Sequence, residues 1–193
     1  MRTVETIVRT LEEWQEFDSK VYQRILEKLQ DNMEFDSTYR LSEFHGELES
    51  VGFTDTEIWY DISYSQGEGT CFTGKWTMPK EPPKYGEEAI KLYLSIAQIL
   101  YDCKADNEDI SFDLYKNTHH YCHEYTVSIG DTVIYQNDNR EIYDIQENIL
   151  IACRYYMRYM FSVLKKDYEY QMSEECIYET FQEYEFYDDG RIA

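Results

Sequence analysis

At 193 residues and 23.3 kDa the chain falls in the size range of one domain, and with 42% hydrophobic residues, 17% aromatics and 20 tyrosines it is too rich in core formers to stay disordered. A single folded domain over residues 1–193 is expected. Its 39 acidic residues against 18 basic ones leave a charge of −21 at pH 7, a field that repels nucleic acid and anionic lipid and attracts basic surfaces. No run of about 18 apolar residues occurs and the opening MRTVETIVRTLEEW lacks the apolar core of a secretory signal, so a cytoplasmic protein that spans no membrane is expected. Cys71, Cys103, Cys122, Cys153 and Cys176 are odd in number and widely spaced, which fits reduced thiols better than a disulfide framework.

From Val4 to about Met33, Ile7, Leu11, Trp14, Val21, Ile25 and Leu29 recur at helical steps, with a break into two helices at Asp18-Ser19. A further helix is expected from Ser42, as its cap, to Val51, stopped by Gly52. Thr56 to Met78 reads as a β-hairpin, because two runs of Ile, Trp, Tyr and Phe flank the turn Gln66-Gly67-Glu68-Gly69. The glycines there do not mark a nucleotide site. Gly69 to Lys75 is followed by Trp76 where a P-loop needs Ser or Thr, prolines 79, 82 and 83 follow in place of a helix, and Gly67-x-Gly69 lacks the third glycine of a dinucleotide fingerprint. No cofactor is expected.

Lys80 to Tyr85 reads as the connection from strand to helix, and a helix from Gly86 to about Cys103 should present Ala89, Ile90, Tyr93, Leu94, Ala97, Leu100 and Tyr101 as one apolar face. The alternation of Ile110, Phe112 and Leu114 predicts a strand over 109–116, and Tyr121 to Ile129 facing Val133 to Tyr135 across Gly130-Asp131 predicts a second hairpin. A long helix from Arg140 to about Tyr170 follows, with Ile142, Ile145, Ile149, Ala152, Tyr156, Tyr159 and Val163 on one side and Arg154, Arg158, Lys165 and Lys166 set against its negative end. Ser173 should cap a last helix over 174–186. These elements predict an α+β fold, an antiparallel sheet of about five strands packed with N-terminal, central and long C-terminal helices. The helical part is placed at 1–52, the sheet with its helix at 53–136, and the C-terminal helices at 140–187.

Within Phe53 to Lys75, the residues Ser65, Gln66, Gly67, Glu68, Gly69 and Phe72 carry a resemblance. The pattern is similar to that of small proteins of bacteriophages and other mobile elements, which show a Gln-Gly-Asp-Gly turn followed by Cys or Ser and then Phe. His120-Tyr-Cys-His-Glu-Tyr-Thr-Val127 resembles that family's short His-containing strand, and Asp167-Tyr-Glu-Tyr with Tyr184-Glu-Phe-Tyr-Asp-Asp-Gly190 resembles its acidic end. The match covers about half the chain, and members are often labelled antitoxin. Glu68 departs from the usual Asp, and Asp61-Ile62-Ser63-Tyr64 stands where relatives tend to carry a Gly.

Two constellations bear on chemistry. His119, His120, Cys122 and His123 with Glu124 are metal-capable, but on a strand 119 and 123 face away from 120 and 122, so a site would need Cys71, Cys153 or His45 as well. No metal is expected, and a Cys71–His123 catalytic pair lacks an orienting third residue. The acidic constellation is larger: between Asp167 and Asp189 no Lys or Arg interrupts Glu169, Glu174, Glu175, Glu179, Glu183, Glu185, Asp188 and Asp189. On a helix Glu175, Glu179 and Glu183 would repeat at about 5–6 Å, a spacing suited to a basic groove that handles a phosphate backbone. The favoured expectation is an anti-defence inhibitor that imitates nucleic-acid charge and blocks the basic site of a host restriction or CRISPR-type system in the bacterial cytoplasm. The alternatives are an antitoxin-like or regulatory binding protein and a small Cys/His enzyme.

Overall fold

The computed structural model describes residues 7–63, 67–102, 111–118, 120–130 and 139–193, with side chains from 144 onward in the last stretch. The fold is α+β, with a four-stranded and a two-stranded antiparallel sheet among the described residues. The chain divides into two compact units, one formed by residues 1–36 with 166–193 and the other by residues 37–165.

In the first unit, strand β1 (Val8–Thr10) pairs antiparallel with β6 (Glu185–Tyr187), so the two ends of the chain are joined. Helix α1 (Leu11–Phe17) therefore starts later than the periodicity from Val4 predicts. Thr10, extended at φ −69 and ψ 169, is its N-cap, and Thr10 and Glu13 exchange hydrogen bonds in a capping box that satisfies the first turn. The break at Asp18 is as expected: its carboxylate accepts from the Lys20 and Val21 amides and opens α2 (Ser19–Asn32). Ser173 caps α6 (Glu174–Phe181) through the Cys176 amide at 3.2 Å, also as expected. The last helix nonetheless stops at Phe181 instead of 186. Phe186 is drawn into the core with Leu11, Trp14, Tyr22, Ile25, Leu29 and Ile177, and the backbone around it is used as strand. The Trp14 indole N–H donates to the Phe186 carbonyl at 2.9 Å.

In the second unit, α3 (Thr38–Val51) begins before Ser42, and Ser37, at its N-cap position, turns its hydroxyl to Tyr60 at 2.8 Å. Gly52 ends the helix at φ 107 as expected. The predicted hairpin is present as β2 (Phe53–Asp61) and β3 (Gly69–Thr77), paired Ile58 to Phe72 and Trp59 to Cys71, with a shift in register between Thr54 and Glu57. Strand β4 (Ser111–Lys116) joins β3, and β5 (Val127–Ile129) joins β4. The strand expected from Tyr121 is shorter than predicted, because residues 124–126 form a 3-10 turn before β5. The His123 ring nitrogen Nδ1 accepts from the Tyr125 amide, and the Thr126 hydroxyl donates to the His123 carbonyl at 2.6 Å, which closes that turn. The other arm of the second hairpin, 133–135, lies outside the described residues, as do Ile110 and Cys103.

Helix α4 (Glu87–Asp102) turns Ala89, Leu92, Ile96 and Leu100 inward, so Leu94 at 57% exposure and Tyr101 at 77% are not on the buried face assigned to them. Helix α5 (Asn139–Gln171) supplies residues to both units. In the second, it buries Ile145, Ile149, Cys153, Tyr156, Met160 and Leu164, whereas Val163 is half-buried. It runs on to Gln171, so Lys165 and Lys166 lie more than a turn from its end and do not meet the dipole as expected; no basic residue stands in its last turn. Under β3, Trp76 stacks on Phe112 at 5.0 Å and Phe72 meets Tyr156 edge-on at 6.2 Å. No helix among the described residues is long and apolar enough to cross a membrane.

Candidate functional site

Two of the three stretches that carry the mobile-element resemblance, the 53–75 hairpin and residues 120–127, come together in the second unit, and the acidic third, residues 167–170 with 184–190, belongs to the first. A Cβ on Gly69, which sits at φ 151, would lie 2.7 Å from the Cα of His123, and a Cβ on Gly67 would strike the Tyr121 ring. The turn glycines thus let residues 121–123 lie directly against the start of β3. Glu68 faces the Lys165 ammonium of α5 at 3.6 Å, and its second oxygen is buried without a hydrogen-bond partner. Phe72 is fully buried and belongs to the core. Ser65 and Gln66 lie outside the described residues. The signature is therefore in large part a packing device.

Cys71 is fully buried, and burial raises its thiol pKa more than a hydrogen bond to Thr126 and the charge of Lys116 lower it. Buried Cys153 is pushed up to about 12 by the same cause. His123 stands between Tyr121 and Tyr125, with ring centroids 6.2 and 6.1 Å away. Of the other histidines, His45 bonds the Thr56 hydroxyl at 2.7 Å, His120 is exposed, and His119 lies outside the described residues. Among the described residues no three His, Cys, Asp or Glu side chains gather as metal ligands. The Lys116 ammonium, 3.7 Å from the Cys122 sulfur and 4.9 Å above the Trp59 ring, is a contact the sequence did not suggest.

The acidic residues lie in the first unit and are mostly on its surface. Glu169, Glu174, Glu175, Glu179, Glu183, Glu185 and Asp188 are exposed. Glu183 lies past the end of α6, so the expected helical repeat of Glu175, Glu179 and Glu183 is reduced to its first two members. Asp189 is compensated: Arg191 pairs with it at 2.8 Å and lowers its pKa through backbone and side-chain hydrogen bonds. Arg24 and Lys28 donate to the Asp188 and Asp189 carbonyls, which fastens this end to α2.

Glu174, Glu175 and Glu179 line an open groove of about 570 Å³ together with Gln15, Tyr22, Tyr178 and Gln182. The Tyr22 hydroxyl donates to Glu174 at 2.8 Å, and burial, reinforced by that carboxylate, pushes its pKa up to about 12. The Tyr170 hydroxyl reaches Glu179 at 3.3 Å. Carboxylates set among phenols and amides can accept hydrogen bonds from guanidinium or ammonium groups. The contribution of Gln15 and Tyr22 was not foreseeable, since they lie more than 150 positions from Glu174 and no local pattern marks the approach.

A family model described as a domain of unknown function, DUF8835, matches residues 14–174. No curated protein and no solved structure matches the chain. The matched span includes the hairpin and the 120–126 segment and ends at the first residue of α6.

Proposed function

The chain belongs to the DUF8835 family, and we propose that it is an acidic binding protein, not an enzyme, that occupies the basic nucleic-acid-binding face of another protein. One observation carries this reading. The first unit, residues 1–36 and 166–193, holds 18 acidic residues against 7 basic ones, a charge of −11, whereas residues 37–165 hold 21 against 11, a charge of −10 over twice the length. The smaller unit is thus about twice as densely charged, and its carboxylates from Glu169 to Asp188 are exposed. Charge needed only for solubility has no reason to concentrate in this way. A basic channel that meets such a surface gains fast, steered encounter and loses access to its own phosphate ligand.

Taken with the resemblance to mobile-element proteins, the reading is an anti-defence inhibitor directed at a restriction or CRISPR-type nuclease of the host cytoplasm. The test is to recover the protein with its partner from native cells, reconstitute the pair, and measure competition with the partner's DNA or RNA at physiological salt. Displacement in a one-to-one complex is expected. A partner that binds the protein and its nucleic acid together would refute the proposal.

A further inference from the structure

The second unit buries an ionisable group unrelated to the acidic surface. Where α3, α4 and α5 meet, the hydroxyl of Tyr156, a residue 1% exposed, donates to Glu47 Oε2 at 2.5 Å. Glu47 is half-buried, and the approach of Gly86 closes it on another side: a Cβ there would lie 2.5 Å from Oε1. Glu43, one turn earlier on α3, and Glu88, in the first turn of α4, bring two further carboxylates to the corner, and Tyr159 of α5 faces the same group. The cations there are engaged with these neighbours, Arg40 with Glu43 at 2.8 Å and Lys91 with Glu87 and Glu88 at 2.9 and 2.7 Å.

We propose that Glu47 is a proton-controlled joint of α3, α4 and α5, loosened while it is a carboxylate and tightened when it takes up a proton. Burial disfavours its charge, the charges of Glu43 and Glu88 disfavour it further, and the Tyr156 hydrogen bond offsets only part of this, so its pKa lies above the ordinary value. A carboxyl whose folded-state pKa is raised stabilises the fold below its unfolded pKa, and that stability is lost as pH rises through the folded pKa. Protonation keeps the Tyr156 contact, because the remaining carbonyl oxygen still accepts the phenol proton. It removes the repulsion and the buried charge. Lowering the pH therefore firms the second unit.

The test is thermal unfolding of the intact protein between about pH 7.5 and about pH 5, for the natural chain and for Glu47→Gln, whose amide oxygen still accepts from Tyr156. The natural protein should gain a few degrees in Tm toward the acid end. The variant should start a few degrees higher at the neutral end and lose that part of the rise. A variant with the slope of the natural chain, or with a lower Tm at every pH, would overturn the proposal. Should the variant fail to fold, carbon-13 titration of the Glu47 carboxyl in the natural chain decides: a midpoint above that of exposed Glu49 supports the joint, and one at or below it overturns it.

Discussion

Gly69 lies against the backbone of His123, so close that a methyl group on Gly69 would come within 2.7 Å of the His123 Cα. The neighbour is main chain and cannot swing aside, and φ 151 disfavours a side chain independently. Gly69→Ala should therefore lower stability by roughly 1–3 kcal/mol. Gly46→Ala is the contrast, since nothing lies within 4 Å of its Cβ position in α3, and it should be neutral or stabilising by up to about 1 kcal/mol. Urea denaturation of both variants checks this; equal losses would mean that the approach to His123 does not restrict Gly69.

How far the sequence discloses the fold depends on how local each cause is. Asp18 and Ser173 accept from amides two or three residues on, Gly52 donates its own N–H to the Leu48 and Glu49 carbonyls, and all three boundaries were legible. The hairpin was legible because alternation and its turn are adjacent in the chain. The pairing of β1 with β6 was not, because Val8 and Tyr187 meet across almost the whole sequence, and their apolar periodicity could be absorbed into flanking helices. The same cause misplaced Glu183: an acidic, tyrosine-rich stretch reads as helix until Phe186 is known to be needed by a core on α1 and α2. The carboxylates themselves were legible as charge. Their placement in a groove with Tyr22 was not.

The Trp14–Phe186 contact makes the C-terminal strand part of the first core. Phe186→Ala should lower stability by about 3–5 kcal/mol, because it removes a fully buried ring and leaves a cavity. Hydrogen exchange should show the loss in α1 and α2. A loss of protection confined to residues 185–187 would mean that the strand is only appended.

Thiol reactivity should follow burial. Cys122 and Cys176 are half-buried, whereas Cys71 and Cys153 are fully buried with raised pKa values. Alkylation of the native protein followed by mass spectrometry should modify the first two and leave the second two until the fold is opened. Rapid, selective modification of Cys71 would instead favour the reading of a small cysteine enzyme.

The measurement closest to the central claim is inhibition by two charge-reversed variants at physiological salt, read as displacement of nucleic acid from the purified partner. Glu175→Lys, Glu179→Lys and Glu183→Lys together alter the exposed acidic surface of the first unit. Glu49→Lys, Glu57→Lys and Glu81→Lys alter three exposed positions of the second by the same charge. Backbone-type contacts weaken steeply with salt, so bulk charge alone makes little difference under these conditions. Loss of inhibition in the first variant with retention in the second is the predicted result. Equal losses would reduce the effect to net charge, and full inhibition by the first variant would contradict the account outright.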